Sequence, residues 1–529
     1  MDESLLTLAV GATIAVGVAV LMRRIGWGIA IPLIAVGAVV GEIPIGPTAP
    51  PDPGFVLVVI LAPLVFGEAL GSSYLDLRRV SRPVLALAIG LVIATTVVIG
   101  SVAFLLVAMP LAMALALGAV LAPTDAVAVS TVARRAGLPR RLVSILEGES
   151  LVNDGTGLTA LKVALVAAAA GSVTLLEVTG FFIVAVTVGV VVGAIGGWLF
   201  ALVLRRSNDL VPANALVLVA PFLLYAVAEE FEGSGILAVV VAGLVIAHVQ
   251  NSDPGHTGRV QSVTVWRHIT FLLQALAFFL VGLELPDVLR RLSAEEWRSV
   301  LVLIPVVVIA LIVTRALFVM AMVTLAHARG RDRGRAPVKG AILLSWAGAR
   351  GPVSGLAAFS IPVAFASGDD VPFRDVILAT TFCVIVVTLL LSLTLAPLAR
   401  VIGIPADDDT AILRRIDLML ARAAIERLDA IEAEAATAGA PLPTDVSERL
   451  REDADRRLRA SSPLVGDGGT AVSTPDHATR LREAAGAMVR AEQEELIRLR
   501  DEEGLPDAVV RPILRDLDLR VQALRADRG

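Results

Sequence analysis

The sequence predicts an all-α, polytopic membrane protein of about thirteen transmembrane helices followed by a helical tail. Three observations predict it. The 529 residues are 56% apolar and only 18% charged, with a mean hydropathy of +0.80, whereas soluble domains carry about 25% charged residues. Apolar windows near the ~20 residues needed to span a bilayer recur from Leu5 to Ile402. Beyond Ile402 the pattern changes to amphipathic helix with 19 Arg against 26 Asp plus Glu. Aromatics make up only 4%, so the apolar bulk is Ala, Val, Leu and Gly, a composition suited to closely packed membrane helices.

In order, the apolar windows fall at 5–22, 26–41, 54–70, 83–107, 110–133, 142–169, 178–204, 213–228, 235–248, 268–285, 299–325, 338–362 and 373–402. The first follows Met-Asp-Glu-Ser and precedes Arg23 and Arg24. A cleaved signal peptide has the opposite flanks, so this segment is expected to be retained. Alternate loops then divide the basic residues about eighteen to four, the rich set including Arg78, Arg79, Arg82, Arg134, Arg135, Arg205, Arg206 and the 329–339 loop. Because cytoplasmic loops hold the basic excess, the N-terminus is expected outside and the C-terminus in the cytoplasm of a plasma (inner) membrane.

The transmembrane domain is taken as 1–402 and the tail as 403–529. In the tail, 412–436 lacks Gly and Pro, Ser473-Thr474-Pro475 reads as a helix start, and Gly504 and Pro506 separate the last two helices. It is expected to be cytoplasmic and regulatory, and its acidity excludes nucleic acid as a partner. The single cysteine, Cys383, rules out an internal disulfide, and neither Lys162 nor Lys339 precedes Ser or Thr, which excludes a Walker A loop. No cofactor is implied.

Ionisable residues at membrane depth cost several kcal/mol and are functional candidates by default. In the fifth segment, Pro123 lies within Ala122-Pro123-Thr124-Asp125. Proline removes an amide donor and clashes with the carbonyl four residues back, so a break is expected over 119–125, leaving backbone carbonyls free beside Thr124 and Asp125. In the sixth segment, at about 100° per residue, Ser150 and Asp154 share one helical face while Glu149 and Asn153 share another. Lys162 is expected to snorkel toward the outer end. The twelfth segment carries Gly348-Ala-Arg350-Gly351-Pro352-Val-Ser354, with a second break expected at Gly351-Pro352. If segments one to six and eight to thirteen are inverted repeats, the two breaks correspond, the best sequence pointer to a midplane transport site. Glu68 follows Pro63 in the third segment, and Arg315 and Glu284 are expected to be structural or interfacial.

Ala-Pro-Thr-Asp at 122–125, Gly-Glu-Ser-Leu-Val-Asn-Asp-Gly at 148–155, Gly-Ala-Arg-Gly-Pro-Val-Ser at 348–354 and Phe-Leu-Val-Gly-Leu-Glu-Leu at 279–285 together resemble the sodium/proton exchangers of the cation/proton antiporter superfamily, NhaP-like branch. The resemblance covers residues 1–402. It implies a homodimer, a dimer domain, and a six-helix core with crossed discontinuous helices. It also implies that Asp154 is the cation and proton carboxylate, helped by Asp125, Ser150 and the Thr124 backbone, with Glu68 as an additional acidic contact. Asn153 stands where the electrogenic branch has a second aspartate, which implies the electroneutral type, and Glu149 and Arg350 match a structural ion pair. Sodium and protons are the implied cargo, with lithium or potassium as alternatives. Ala349 and Pro352 depart from the commonest residues of the arginine motif.

Two other classes fit poorly. A membrane serine hydrolase needs a Gly-x-Ser-Gly elbow and a deep histidine; Pro352 occupies the glycine place and His248, His256, His268 and His327 map near the cytoplasmic side. A channel filter such as Thr-Val-Gly-Tyr-Gly is not present. The charge bias gives a first test: a reporter fused after Ile402 is expected on the cytoplasmic side and one inserted at 47–53 on the outside. Finding both on one side removes the thirteen-segment topology.

Overall fold

The computed structural model describes residues 3–43, 53–125, 138–171, 174–206, 210–251, 258–328, 336–365, 368–403, 410–439, 441–459 and 475–526. Helices dominate, and among these residues the sole β pairing is an isolated bridge between Ala364 and Asp370. The chain divides into two compact units, one of residues 1–206, 215–247 and 265–406, the other of 207–214, 248–264 and 407–529.

Besides the short helix Tyr74–Arg79, the helices before residue 403 are α1 (Glu3–Ile25), α2 (Ala30–Gly41), α3 (Val56–Gly71), α4 (Ser81–Val107), α5 (Leu111–Leu121), α6 (Arg140–Ala170), α7 (Leu175–Arg206), α8 (Leu210–Glu230), α9 (Gly235–Asn251), α10 (Gly258–Arg291), α11 (Ala294–Ala328), α12 (Ala336–Trp346), α13 (Pro352–Phe359) and α14 (Arg374–Ser392), all of the first unit except residues 210–214, 248–251 and 258–264. Leu395–Ile402 continues α14. Each predicted span meets a helix here, with α12 and α13 sharing one. Seven of the described helices are long and apolar enough to cross a membrane. The fifth span is helical only to Leu121 within the described residues; its expected second half, 126–133, lies outside them.

Local chemistry fixes the ends. Thr174 and Glu177 form a reciprocal cap before α7: the Thr174 N–H donates to Glu177 Oε2 at 2.8 Å and the Glu177 N–H to Thr174 Oγ1 at 3.3 Å. Ser293 and Glu296 repeat the arrangement before α11. At the far end of the α14 continuation, Lys339 Nζ donates to Ile402 O at 2.8 Å, a cation on orphan carbonyls at a helix C-terminus. Pro221, Pro286 and Pro305 sit inside continuous helices, so proline alone does not decide where this chain unwinds.

The helices pack as two bundles. The first joins α4, α5 and α6 to α11, α12, α13 and α14. The second joins α1–α3 to α7–α10 through close glycine contacts, with α2 lying on α10 so closely that backbones touch, while α3 also packs on α6 and α13 and α2 on α14. A Cβ on Gly282 would fall 2.1 Å from Ile34 O, and one on Gly37 2.3 Å from Phe279 O. Without a hydrophobic driving force in lipid, such close approach is what holds helices together.

The second unit is a helical domain of α15 (Thr410–Thr437), α16 (Thr444–Arg459), α17 (Pro475–Glu502) and α18 (Asp507–Ala526). Ile416 and Leu420 of α15 pack with Leu496 of α17 and Val510, Leu514 and Leu517 of α18. Farther along α15, Ala424 and Leu428 meet Val446 and Leu450 of α16 and Met488 of α17. Burial of these stripes is what a water-facing amphipathic helix requires. Inside, Gln493 Nε2 donates to Asp518 Oδ1 at 2.8 Å.

The α2–α10 contact yields a test. Gly282→Val is expected to lower the thermal unfolding midpoint of the detergent-purified protein, at a cost of about 1–3 kcal/mol or more for overpacking. Gly17→Ala, where nothing lies within 4 Å of the added carbon, is expected to leave it unchanged.

Candidate functional site

The site begins where two helices stop. After Leu121 the chain leaves helical geometry through Asp125, and after Trp346 it does so until Pro352 starts α13. The second break opens earlier than Gly351-Pro352, the place expected from sequence. Proline at the first helical position is favourable, so Pro352 begins the new helix, while its ring cannot tolerate a helical carbonyl at Gly348 and the unwinding runs back over 347–351.

These two unwound stretches meet. The Asp125 N–H donates to Ala349 O at 2.8 Å. A Cβ on Gly351 would fall 2.4 Å from Asp125 Cβ and 2.5 Å from its Cγ, so glycine at 351 is what lets the Asp125 side chain pass. Arg350, 3% exposed, reaches both broken ends: its Nε donates to Leu121 O at 2.8 Å and its Nη1 to Gly348 O. Its own N–H donates to Thr388 Oγ1 of α14 at 3.0 Å. A helix C-terminus carries roughly half a negative charge; the Arg350 guanidinium lies on that of α5 at Leu121 O and on Gly348 O, two residues past the end of α12.

The expected ion pair between Glu149 and Arg350 is corrected by this arrangement. Glu149 instead takes both prongs of Arg315 from α11, Nη2 lying 2.8 Å from Oε2 and Nη1 bonding Oε1. Arg315 Nε donates to Leu344 O at 2.7 Å, and the two side chains are only 2% and 1% exposed. The fork of an arginine matches a carboxylate in this bidentate way. Arg350 is occupied by backbone carbonyls, which accept its donors at the break.

The rest of that face of α6 is tied to the first break. Thr124 Oγ1 donates to Glu149 Oε1 at 3.2 Å and accepts from Asn153 Nδ2 at 3.0 Å. Glu149, Asn153, Thr124 and Arg315 thus form one buried polar network, and Thr124 enters it through its side chain.

On the other face, Ser150 and Asp154 are 4% and 2% exposed. Asp154 Oδ2 is buried with no hydrogen-bond partner among the described residues. Glu68 of α3 and Asp125 lie within electrostatic range of Asp154, so carboxyls from both bundles and from the first break converge. They do not form a tight cage: among the described residues no group of three His, Cys, Asp or Glu side chains is placed to hold a metal ion. A buried carboxylate oxygen without a donor needs a proton or a cation.

Sequence reasoning put Arg315 deep in its helix without assigning it a partner and passed over Thr388. The signal for Thr388 was a lone hydroxyl in the apolar run from Cys383 to Leu391. Glu284 is buried at 6% exposure within electrostatic range of Arg291 and Arg374. His256 lies outside the described residues, and His327 Nδ1 rests 2.9 Å from Val323 O of its own helix.

Two unwound stretches that meet beside a buried carboxylate, within a set of apolar spans, are the arrangement of a secondary transporter whose site is built from discontinuous backbone. Residues 10–401 match the family described as sodium/hydrogen exchanger, transmembrane. A sodium, potassium, lithium and rubidium/H+ antiporter of Bacillus pumilus is 33% identical over 385 residues, covering 70% of this chain but only 57% of that protein. A Na+/H+ exchanger of Mycobacterium bovis, described as uncharacterized, is 31% identical over 523 residues, 97% of this chain and 94% of that one, tail included. The sodium proton antiporter MjNhaP1 from Methanocaldococcus jannaschii shares the fold, with a TM-score of 0.60 at 18% identity over 76% of this chain and 100% of that one. The chain belongs to the sodium/hydrogen exchanger family.

The corrected pairing is testable. Glu149→Gln and Arg315→Gln are each expected to destabilise the purified protein by about 3–5 kcal/mol, the cost of leaving a buried charge alone. The double substitution is expected to recover part of that loss. Arg350→Gln is expected to gain less from Glu149→Gln than Arg315→Gln does, because its hydrogen-bond acceptors are carbonyls and Glu149 acts on it only at electrostatic range; equal rescue of both arginine variants refutes the assignment.

Proposed function

We propose that this chain is an electroneutral sodium/proton antiporter of a plasma membrane, with Asp154 holding either a proton or a sodium ion. The observation that carries the reading is the buried Asp154 oxygen that has no hydrogen-bond partner among the described residues. Hard cations take oxygen ligands, and Asp125, Ser150 and the Thr124 backbone carbonyl supply them around Asp154, with Glu68 as an acidic contact from the other bundle. Competition for one carboxylate couples the two ions: the site releases its proton to admit the cation, and rocking of one bundle against the other exposes it to each side in turn.

Electroneutrality rests on Asn153. Its amide donates to Thr124 and cannot carry a second proton, so one charge returns for each that leaves. Potassium and lithium are the second reading, favoured by the Bacillus pumilus relative, which is described as a sodium, potassium, lithium and rubidium/H+ antiporter. The chain acts as a homodimer, its N-terminus outside and its tail in the cytoplasm, where the tail regulates transport.

In proteoliposomes an imposed sodium gradient is expected to drive protons the opposite way at a rate unaffected by clamping the membrane potential. Asp154→Asn is expected to reduce this to the empty-liposome level, and Asp125→Asn severely, since an amide neither releases a proton nor supplies charge. Competition also sets a pH law. At pH values where the proton dominates the free site, the sodium concentration for half-maximal rate is expected to rise about tenfold per unit of acidification. A half-maximal concentration independent of pH, or substantial transport by Asp154→Asn, overturns the mechanism. Gradients of sodium, lithium and potassium in turn identify the cargo.

A further inference from the structure

Beyond Asp154, α6 continues for two more turns to Lys162, about 12 Å farther along at ~1.5 Å per residue. A lone lysine there is expected to snorkel into the headgroups. Instead its Nζ donates to Glu229 Oε2 at 2.7 Å and to Gly233 O at 3.2 Å, at the end of α8. The other carboxylate oxygen, Glu229 Oε1, accepts the Gly235 N–H at 3.1 Å and so fixes the start of α9. One turn nearer the site, the hydroxyls of Thr159 and Ser234 meet at 3.0 Å. The line runs from the bundle carrying Asp154 to the bundle carrying Glu68.

A second bridge spans the same two bundles. Arg291, the last residue of α10, sets its Nε 3.5 Å from Asp375 Oδ2 at the start of α14. Asp375 is held from its own side by Arg374 Nη1 at 3.3 Å, and Arg374 is anchored by its Nε on Ile361 O at 3.0 Å. Glu229, Arg291 and Asp375 lie at helix ends that the charge bias assigns to the outer face, and Lys162 lies about two turns inside the corresponding end of α6.

We propose that these two ion pairs form a latch that closes the outer entrance to Asp154, and that this structure is the state closed on that side. The inference rests on the alternating-access reading above. Two bundles that rock must part where they are pinned, so the pins have to be weak. Side-chain exposures of 40% and 34% for the first pair and 39% and 27% for the second keep each in the class of ion pair that is weak and easily replaced by water. A hydrophobic seal of the same extent would resist opening; a wet ion pair holds position and yields.

The test uses the full-length chain with Cys383→Ser, which removes its sole cysteine, and Leu237→Cys as reporter. Leu237 is 8% exposed, and on α9 it faces Gly155, the neighbour of Asp154. Right-side-out vesicles are treated with a membrane-impermeant thiol reagent. Lys162→Met and Glu229→Gln are each expected to raise the labelling rate by up to about fivefold, the factor an exposed pair can be worth. Their combination is expected to add nothing further, because one interaction has been lost in either case. Adding Asp375→Asn is expected to raise the rate again. Gln at 229 keeps an acceptor for the Gly235 N–H, so a purely structural cap predicts normal labelling in that variant. Labelling unchanged in Lys162→Met and Glu229→Gln, or raised in the second but not the first, overturns the latch. Sodium-driven proton movement is read in the same vesicles: its absence from the parent protein overturns the antiport reading, whereas labelling indifferent to these charges in a transporting protein overturns the latch alone.

Discussion

Everything at the centre of this protein depends on the guanidinium of Arg350 lying on carbonyls where two helices have given way to unwound chain. Ending a helix inside a membrane exposes carbonyls that water cannot reach, and each unsatisfied group costs several kcal/mol. Arg350 answers Leu121 O and Gly348 O with one side chain, while the backbone bond from Asp125 to Ala349 ties the two strands of unwound chain together. Asp125 stands four residues past the first of those carbonyls. Its position is therefore a consequence of where the helices stop, and the electrostatics of the stop are settled before any ion arrives.

The second constraint is the division of α6 into two faces. Glu149 and Asn153 are bound to Arg315 and Thr124, while the other face carries Asp154, whose Oδ2 has no hydrogen-bond partner among the described residues. Five residues separate the paired acid from the unpaired one, about 140° of rotation. A helix that carries both can be rigidly held by the first while presenting the second, and the glycine at 351 keeps the approach to Asp125 close.

Much of this was legible in the sequence. Apolar windows located the helices because bilayer thickness dictates their length, and Pro123 located the first break because a proline beside polar residues has no competing reason to be there. The ambiguity lay in pairing. Glu149 had two buried arginines to choose from, and periodicity gives the depth and face of a residue on its own helix but nothing about which neighbour turns toward it. Arg350 was the nearer motif partner; the prior claim of the helix ends on its donors was a tertiary fact. The extent of the second break was hidden for a similar reason, since the residues before Pro352 have no shared composition that marks them as unwound. Likewise Lys162 read as a snorkelling side chain because Glu229 lies 67 positions away along the chain.

The backbone contact between α2 and α10 has a mechanical meaning. Gly282 against Ile34 and Gly37 against Phe279 place main chain on main chain, with no intervening side chain whose rotamers could absorb a displacement. Such a joint has little compliance. Under the alternating-access reading proposed above, it belongs to a stator against which the other bundle moves. The stiffness of that mount is set by the volume of the side chain at each crossing, which at Gly37 and Gly282 is nil.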